Sequence, residues 1–198
     1  MIKKFSYRVA KWMEREGAIP NEDNDCFSYA VYSLLFGLLP VFIVILLGFA
    51  FGMLREGLLM IAPFMLIRKF SGGYHLDSSK SCFVFSSVLL TLTIQLINVV
   101  VQYEYTFYLT VSVLLSVLCL CVFSPVENHA RKLSNKEKKL FHRIAGTLAI
   151  VAMIVYLVML KTVEVQYTVA FGIGIVLVAA LEIIGVIVYA KSKCVNNM

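Results

Sequence analysis

Two side chains in this sequence could carry out nucleophilic chemistry together, His75 and Cys82. A cysteine acts as a nucleophile when a nearby base takes its proton, and histidine is a common base. In one continuous helix the seven-residue spacing would place both side chains on one face but about 10 Å apart along the axis, too far for a hydrogen bond. A cysteine–histidine pair therefore requires the chain to turn between the two residues.

The residues around this pair favour such a turn. Two glycines precede the histidine and a polar run follows it, Gly72–Gly73 and Asp77–Ser79. Glycine gives the backbone conformational freedom, while Asp and Ser are typical of turns and helix caps. If the polar run caps the next helix, Cys82 lies near its first turn, where the helix N-terminus favours a thiolate. Nearby cations add to this effect: Arg68, Lys69 and Lys80.

Spacing alone does not establish a catalytic pair. A histidine at a membrane surface and a small apolar cysteine entering a helix are the more common situation, and this alternative stays open. The remaining cysteines fit catalysis less well, because they lie in an apolar run, in the tail or far from any histidine: Cys26, Cys119, Cys121 and Cys194. No metal or other cofactor is expected, because the local ligands are too few for a zinc site and His129 and His142 complete no known ligand pattern.

The elements that must position these residues are membrane-spanning helices. Hydrophobic residues make up 60% of the 198 residues, compared with about 45–50% in a typical soluble domain. About 20 apolar residues cross a bilayer, and on that basis we predict five spans. A sixth segment, Gly57–Ile67, is short, and taken alone it is equally consistent with a re-entrant or buried segment. The five spans are Cys26–Leu54, Ser81–Tyr103, Tyr105–Val126, Ile144–Leu160 and Val165–Ala190. The predicted fold is all-α and polytopic, with about six transmembrane helices.

The cations favour six crossings with both termini in the cytoplasm. Lys and Arg concentrate in the cytoplasmic segments of membrane proteins. With six crossings, only Arg55 and Lys161 of the 18 Lys and Arg residues fall outside. The catalytic segment 68–82 and the basic loop 124–143 would then both face the cytoplasm. This clustering explains the net charge of +6, so nucleic acid is not an expected partner.

Two end segments flank a predicted single transmembrane domain, residues 26–190. Residues 1–25 have apolar side chains at helical spacing and five cations, which predicts an amphipathic helix in the membrane interface. A solvated helix packed on the bundle is the alternative. Residues 191–198 are predicted to be a cytoplasmic tail.

Glu182 interrupts the last span. An ionisable side chain at that depth is costly and is therefore a functional candidate. We favour a simpler interpretation, in which Glu182 is protonated or near the interface and hydrogen-bonds a neighbouring helix.

Beyond spacing, the sequence resembles a known family. Residues Arg68–His75, with Cys82 seven residues further on, resemble the signature of the accessory gene regulator B family of membrane endopeptidases. Ser124–Asn128 and the basic residues after it resemble the central cytoplasmic loop of that family. The length and hydropathy layout agree over essentially the whole chain. One departure is that no proline follows shortly after Asn128, where His129 stands.

The resemblance implies a cysteine endopeptidase that processes the precursor of a cyclic autoinducing peptide for quorum sensing. Such precursors carry an amphipathic leader, a central pheromone sequence and an acidic tail. Cys82 is implied as the nucleophile and His75 as the base, giving an acyl-enzyme thioester and then a thiolactone or lactone. The resemblance also implies a homodimer in the bacterial cell membrane.

Further residues have implied roles around this pair. The residues expected to bind the acidic tail are cationic, although positive-inside anchoring would also explain them: Arg68, Lys69, Arg131 and Lys132. The residues expected to shape the site or stabilise the oxyanion are small or polar: Ser71, Gly72, Gly73 and Asp77. Of these, Asp77 could orient His75 or only cap a helix.

Two rival functions stay open on the sequence. One is a small transporter or scaffold for peptide export, in which Glu182 matters and Cys82 is incidental. The other is a metal-dependent membrane protease. The transporter or scaffold predicts no precursor cleavage. The metal-dependent protease predicts cleavage that does not depend on Cys82.

Overall fold

The computed structural model describes residues 2–16, 24–71, 79–125 and 134–196, and the regular elements in these ranges are all α-helices. They are α1 (Ile2–Arg15), α2 (Asn24–Phe51), α3 (Leu54–Ser71), α4 (Ser79–Gln102), α5 (Thr106–Phe123), α6 (Asn135–Thr162) and α7 (Val165–Asn196). The all-α prediction is confirmed.

Five of the described helices are long and apolar enough to cross a membrane. Their spanning parts are Asp25–Phe51, Ser81–Gln102, Thr106–Phe123, Lys136–Thr162 and Val165–Val188. Each overlaps one of the five predicted spans. More than half of the span in α7 is buried, whereas the other four expose most of their apolar side chains, as lipid-facing helices do. The chain is therefore a multi-pass membrane protein.

The chain divides into two compact units, residues 1–43 and 44–198. The first unit holds α1 and most of α2. In α1 the small residues Ser6 and Ala10 are buried, while Phe5, Tyr7 and Trp12 are exposed. Exposed aromatic side chains on a helix with several cations are typical of interfacial helices, and the position of α1 in the membrane interface stays a prediction.

In the second unit, α7 is the central helix and contacts α3, α4, α5 and α6. Glycines allow this close packing. A Cβ atom on Gly174 would collide with the backbone oxygen of Met60 and lie 2.9 Å from Pro63 Cγ, and one on Gly172 would lie 2.7 Å from the Tyr156 ring. The backbones of α3 and α7 are therefore in direct contact at Gly174.

The helix α3 corresponds to the uncertain sixth segment of the sequence. It is not among the five long apolar helices, because four charged residues lie near its ends. Its 18 residues form one helix that continues through Pro63 and extends about 27 Å, close to the thickness of a bilayer core. Since α3 also lies along α7, its length and neighbour support the six-crossing interpretation.

Consecutive helices of the second unit run in opposite directions. The start of α6 lies at the end of α5, where His142 contacts the Ser124 carbonyl oxygen. Fourteen residues further along α6, Tyr156 reaches back to Thr110 near the start of α5, at 3.0 Å. In the same way, Thr168 near the start of α7 donates to the Met159 carbonyl oxygen near the end of α6.

The first helix pair of this unit has the same arrangement. Residues at the start of α3 share a small cavity with the last turns of α4, including Glu56 and Asn98. At the other end of the pair, Arg68 of α3 interacts electrostatically with Cys82 of α4. These contacts make α3 and α4 antiparallel, so the chain reverses direction between Ser71 and Ser79.

The alternation brings the residues that flank two segments predicted to be functional to one end of the unit. The residues that flank segment 72–78 are Ser71 and Ser79, and those that flank segment 126–133 are Pro125 and Ser134. All four lie at the end where α3 and α5 finish and α4 and α6 begin. We call it the active end.

The opposite end carries an exposed aromatic group. Tyr103, Tyr105, Phe107 and Tyr108 are all exposed, and the rings of Tyr103 and Tyr105 stack at 5.8 Å. Aromatic residues of this kind concentrate at membrane–water interfaces. The group therefore marks the turn between α4 and α5 as an interfacial one.

Several boundaries differ from those predicted. Residues 135–143, predicted as part of the basic loop, form the first turns of α6, because Ser134 and Glu137 make a capping box there. Residues 191–196, predicted as a tail, continue α7. The short apolar run that begins at Ile144 is thus part of a 28-residue helix.

Candidate active site

The first corner of the active end, which we call the thiol corner, comprises Arg68, Lys69, Ser71 and Cys82. Arg68 and Lys69 lie in the last turn of α3. The Arg68 guanidinium carbon lies 5.4 Å from the centre of the Phe64 ring, a cation–π distance. Arg68 is half-buried, so solvent screens its charge only in part.

Cys82 lies in the first turn of α4, three residues after the helix begins at Ser79. Its thiol is free and half-buried. The first N–H groups of a helix have no partner within it, so this end carries a partial positive charge. Cys82 thus combines partial access with an electropositive surrounding to which Arg68 contributes.

Several predicted site residues lie outside the described residues. They are Gly72, Gly73, His75, Asp77, Arg131 and Lys132. The structure therefore brings together Arg68 and Cys82 of the predicted set, with Lys69 and Ser71 on the same last turn of α3. Because α3 ends at Ser71 and α4 begins at Ser79 in the opposite direction, one straight helix through the whole segment 68–82 is excluded.

The second corner, the carboxyl corner, comprises Ser124, His142 and Glu182. Glu182 is 2% exposed, and its Oε1 accepts a hydrogen bond of 2.8 Å from the Ser124 hydroxyl. The Ser124 carbonyl oxygen accepts a hydrogen bond of 2.6 Å from His142 Nδ1. Glu182 therefore bonds a neighbouring helix end, as the simpler interpretation predicted, and Ser124 joins α5, α6 and α7.

Sequence reasoning missed the roles of Ser124 and His142. Ser124 was noted only within the resemblance to the central loop, and His142 only as a residue without a metal pattern. The available signal was Glu182, because a buried carboxyl group requires a hydrogen-bond donor from another helix. The sequence did not indicate which of many Ser and Thr residues would supply it.

The two corners are linked through aromatic packing and share a cationic surrounding. The Phe70 ring in α3 packs edge-on against Phe141 in α6, with centroids 6.1 Å apart. The first turns of α6 also present exposed cations along one face: Lys136, Lys139 and Arg143. Acidic peptide or anionic lipid would be attracted to such a surface.

Within the described ranges, no group of three or more His, Cys, Asp and Glu side chains is arranged to hold a metal ion. The chemistry that these residues can support is that of a cysteine nucleophile beside a half-buried cation. A base for that nucleophile is supplied by none of the groups described at the thiol corner, and His75 in the adjoining segment is the residue of the right type.

Comparison with known proteins places the chain in a family. The sequence model for accessory gene regulator B matches residues 6–190. AgrB-like protein 2 of Clostridium perfringens strain 13 is 32% identical over 82 residues, covering 41% of this chain and 38% of that protein. AgrB-like protein 1 of the same strain is 28% identical over 97 residues, covering 49% of this chain and 52% of that protein.

These similarities are partial in length. The matched stretches span between about two fifths and one half of the curated relatives. No solved structure matches this chain. Because the family match nonetheless extends over nearly all of the sequence, the chain belongs to the accessory gene regulator B family.

Proposed function

We propose that this protein is a membrane cysteine endopeptidase that removes the acidic tail of an autoinducing peptide precursor and promotes cyclisation of the remaining peptide. The family takes part in accessory gene regulator quorum sensing and is linked to precursor processing. The observation that carries the proposal is Cys82 in the first turn of α4, beside Arg68 and at a reversal of the chain.

In the proposed reaction, His75 accepts the proton of Cys82. The thiolate attacks the carbonyl carbon at the junction of pheromone sequence and tail, and the negative oxygen of the tetrahedral intermediate is stabilised by N–H groups near Gly72 and Gly73. As the C–N bond breaks, protonated His75 gives its proton to the leaving amine. The products of this step are the free tail and an acyl-enzyme thioester.

A thiol of the bound peptide then completes the cycle. It loses its proton to His75 and attacks the thioester carbonyl, and the Cys82 thiolate leaves. One thioester is exchanged for another, so this step needs no further energy source, provided that water is kept from the acyl-enzyme. A hydroxyl in place of the thiol gives a lactone, and water gives the linear peptide.

The cationic residues have a binding role in this proposal. Arg68 supports the thiolate, and Lys69 with Arg131 and Lys132 binds the acidic tail. The exposed Lys136, Lys139 and Arg143 extend this cationic surface along α6. An amphipathic leader lying on the cytoplasmic leaflet would present the cleavage junction at the depth of a first-turn helix residue.

The test is precursor cleavage in cells. The chain is co-expressed with a candidate precursor, a short peptide with a central cysteine and an acidic tail, and the peptide products are followed by mass. Wild type is expected to release the tail and leave a cyclic peptide that is lighter by one water than the linear peptide of the same sequence. Cys82→Ala and His75→Ala are expected to leave the precursor intact. Cys121→Ala is the matched control, because Cys121 is a half-buried thiol in the spanning part of α5.

Three outcomes separate the rivals. Full cleavage by Cys82→Ala would overturn the cysteine peptidase. Export of peptide by Cys82→Ala, without cleavage in wild type, would indicate a transporter or scaffold. Loss of cleavage with a chelator, combined with indifference to thiol alkylation, would indicate a metal-dependent protease.

A further inference from the structure

The carboxyl corner contains a polar group that the proposed reaction does not use. Glu182 is buried in the spanning part of α7, where a charged carboxylate is costly. It accepts a hydrogen bond of 2.8 Å from the Ser124 hydroxyl, and no cation in the described part of the chain interacts with it. A neutral carboxylic acid is the form that fits such surroundings.

Two buried oxygen atoms at the active end lack a hydrogen-bond partner among the described residues, Glu182 Oε2 and Ser71 Oγ. Buried polar groups without partners are uncommon in folded proteins, and each calls for an explanation. A neutral carboxyl group has one O–H donor, and a hydroxyl group can accept it. The two atoms are therefore chemically complementary.

The register of the parallel helices brings the two groups to the same level. Gly174 of α7 lies against Pro63 of α3. Ser71 lies eight residues after Pro63, and Glu182 lies eight residues after Gly174. Each step of eight residues advances about 12 Å along a helix, so Ser71 and Glu182 lie at about the same height on neighbouring helices.

These positions have a consequence for the site, because Ser71 and Ser124 both end a helix. Ser71 is the last residue of α3 and precedes segment 72–78, while Ser124 caps the C-terminus of α5 and precedes the basic segment. Glu182 is hydrogen-bonded to one of them and level with the other. A single side chain is thus placed to hold both helix ends.

We propose that Glu182 is a positioning residue for the peptidase reaction: as a neutral acid it accepts a hydrogen bond from Ser124 and donates one to Ser71. The Ser71 bond is the new element, since it is not made in this structure. Glu182 thereby fixes the end of α3, after which the chain continues to His75, relative to Cys82 in the first turn of α4. This inference rests on the proposed function.

The experiment measures how fast Cys82 reacts with iodoacetamide. The full chain carries Cys82 as its sole cysteine, the other four being replaced by Ser or Ala, and is reconstituted in vesicles of phosphatidylglycerol and phosphatidylcholine. Rates are measured from neutral to mildly alkaline pH for Glu182→Leu, Glu182→Gln, Ser71→Ala and the double variant Glu182→Leu with Ser71→Ala. Ile183→Ala is the control, because Ile183 is an exposed neighbour in α7.

Glu182→Leu and Ser71→Ala are each expected to lower the alkylation rate about tenfold near neutral pH, roughly the effect of one lost hydrogen bond. The double variant is expected to be no slower than Glu182→Leu, because each single change already removes the same hydrogen bond between Glu182 and Ser71. Glu182→Gln is expected to stay within about threefold of wild type, because an amide also accepts from Ser124 and donates to Ser71. Ile183→Ala should leave the rate unchanged.

A second readout separates positioning from folding. With the candidate precursor peptide in the same vesicles, Ser71→Ala and Glu182→Leu should lower kcat and leave KM unchanged, and Glu182→Gln should restore kcat. Additive effects of the two changes, or a Glu182→Gln variant as slow as Glu182→Leu, would overturn the inference. Wild type could fail to cleave the precursor while Glu182→Leu and Ser71→Ala still slow Cys82 alkylation without additive effects. In that case the proposed function is wrong, and the positioning role of Glu182 stands.

Discussion

The two corners of the active end differ in how their polar groups are held. At the thiol corner, the Cys82 thiol is free and half-buried, and Arg68 acts on it through charge. At the carboxyl corner, Glu182 is buried and directly hydrogen-bonded to Ser124, which in turn binds His142. One corner leaves a reactive atom accessible, and the other fixes its groups in place.

This difference suggests a division of roles. A nucleophile must be reached by substrate and must change its bonding during the reaction, so it cannot be locked in a saturated network. The supporting elements must instead keep their geometry through the reaction, which buried hydrogen bonds achieve. The predictions below test whether the corners separate in this way, by comparing substitutions at the thiol corner, at the carboxyl corner and between them.

The largest effect is expected at the thiol corner itself. Cys82→Ala should reduce tail release by at least about a thousandfold, because it removes the nucleophile. Cys82→Ser should be similarly inactive in cleavage, since a serine hydroxyl gives no thiolate. Mass analysis of co-expressed precursor measures both, with Cys26→Ser as a control at an exposed thiol in α2. Substantial cleavage by Cys82→Ala would remove the functional distinction between the corners.

The next effect is expected between the corners, where α3 and α7 meet. Gly174→Ala adds a Cβ atom that collides with the Met60 backbone oxygen, and overpacking of this kind costs roughly 1–3 kcal/mol. Because α3 carries Arg68 and α7 carries Glu182, the change should lower both thermal stability and cleavage. The midpoint of thermal unfolding in detergent and tail release are the two measurements.

The matched control for this substitution is Gly146→Ala in α6. A Cβ atom there would meet Cys121 Sγ at 3.9 Å, an ordinary contact. It should therefore leave stability and cleavage near those of wild type. Equal losses at Gly146 and Gly174 would contradict the claim that close backbone contact of α3 and α7 sets the geometry of the active end.

A smaller effect is expected from the charge at the thiol corner. Arg68→Gln should slow Cys82 alkylation about three- to tenfold near neutral pH, because a cation near a thiolate stabilises it by about 1 kcal/mol. Arg68→Lys should recover part of the rate. Lys69→Gln is the comparison, since Lys69 is exposed and solvent screens its charge. A larger loss of alkylation rate in Lys69→Gln than in Arg68→Gln would mean that Lys69, and not Arg68, stabilises the thiolate.

The sequence predicted the helices better than the corners. Hydropathy identified five spans that the structure contains, because a bilayer requires long apolar helices whatever their neighbours are. The charge pattern also favoured a sixth crossing over Gly57–Ile67, and α3 extends through that stretch as one helix. Hydropathy alone does not identify α3 as a span, because its ends are charged. Its full length is recognised only in the structure, where it packs along α7.

The site was predictable only where local chemistry decides it. Asp and Ser before Cys82 indicated a helix start, and Cys82 lies in the first turn of α4. The partner of Glu182 was not predictable, because Ser124 is 58 residues away and the pairing depends on how α5 and α7 pack. The start of α6 was missed because seven of the nine residues 135–143 are polar or charged and resemble a loop, although Ser134 and Glu137 form a capping box.

The smallest effect is expected far from both corners. Tyr156 in α6 is fully buried, and its hydroxyl group lies 3.0 Å from Thr110 Oγ1 near the opposite end of the unit. Tyr156→Phe removes this bond, while Thr110 keeps its own bond to the Thr106 carbonyl oxygen. Hydrogen bonds between membrane helices contribute about 0.6 kcal/mol, so the thermal midpoint should fall slightly and precursor cleavage should not change. A clear loss of cleavage by Tyr156→Phe would mean that the geometry of the active end depends on the whole length of α6, and that the carboxyl corner is not the local support inferred from its buried hydrogen bonds.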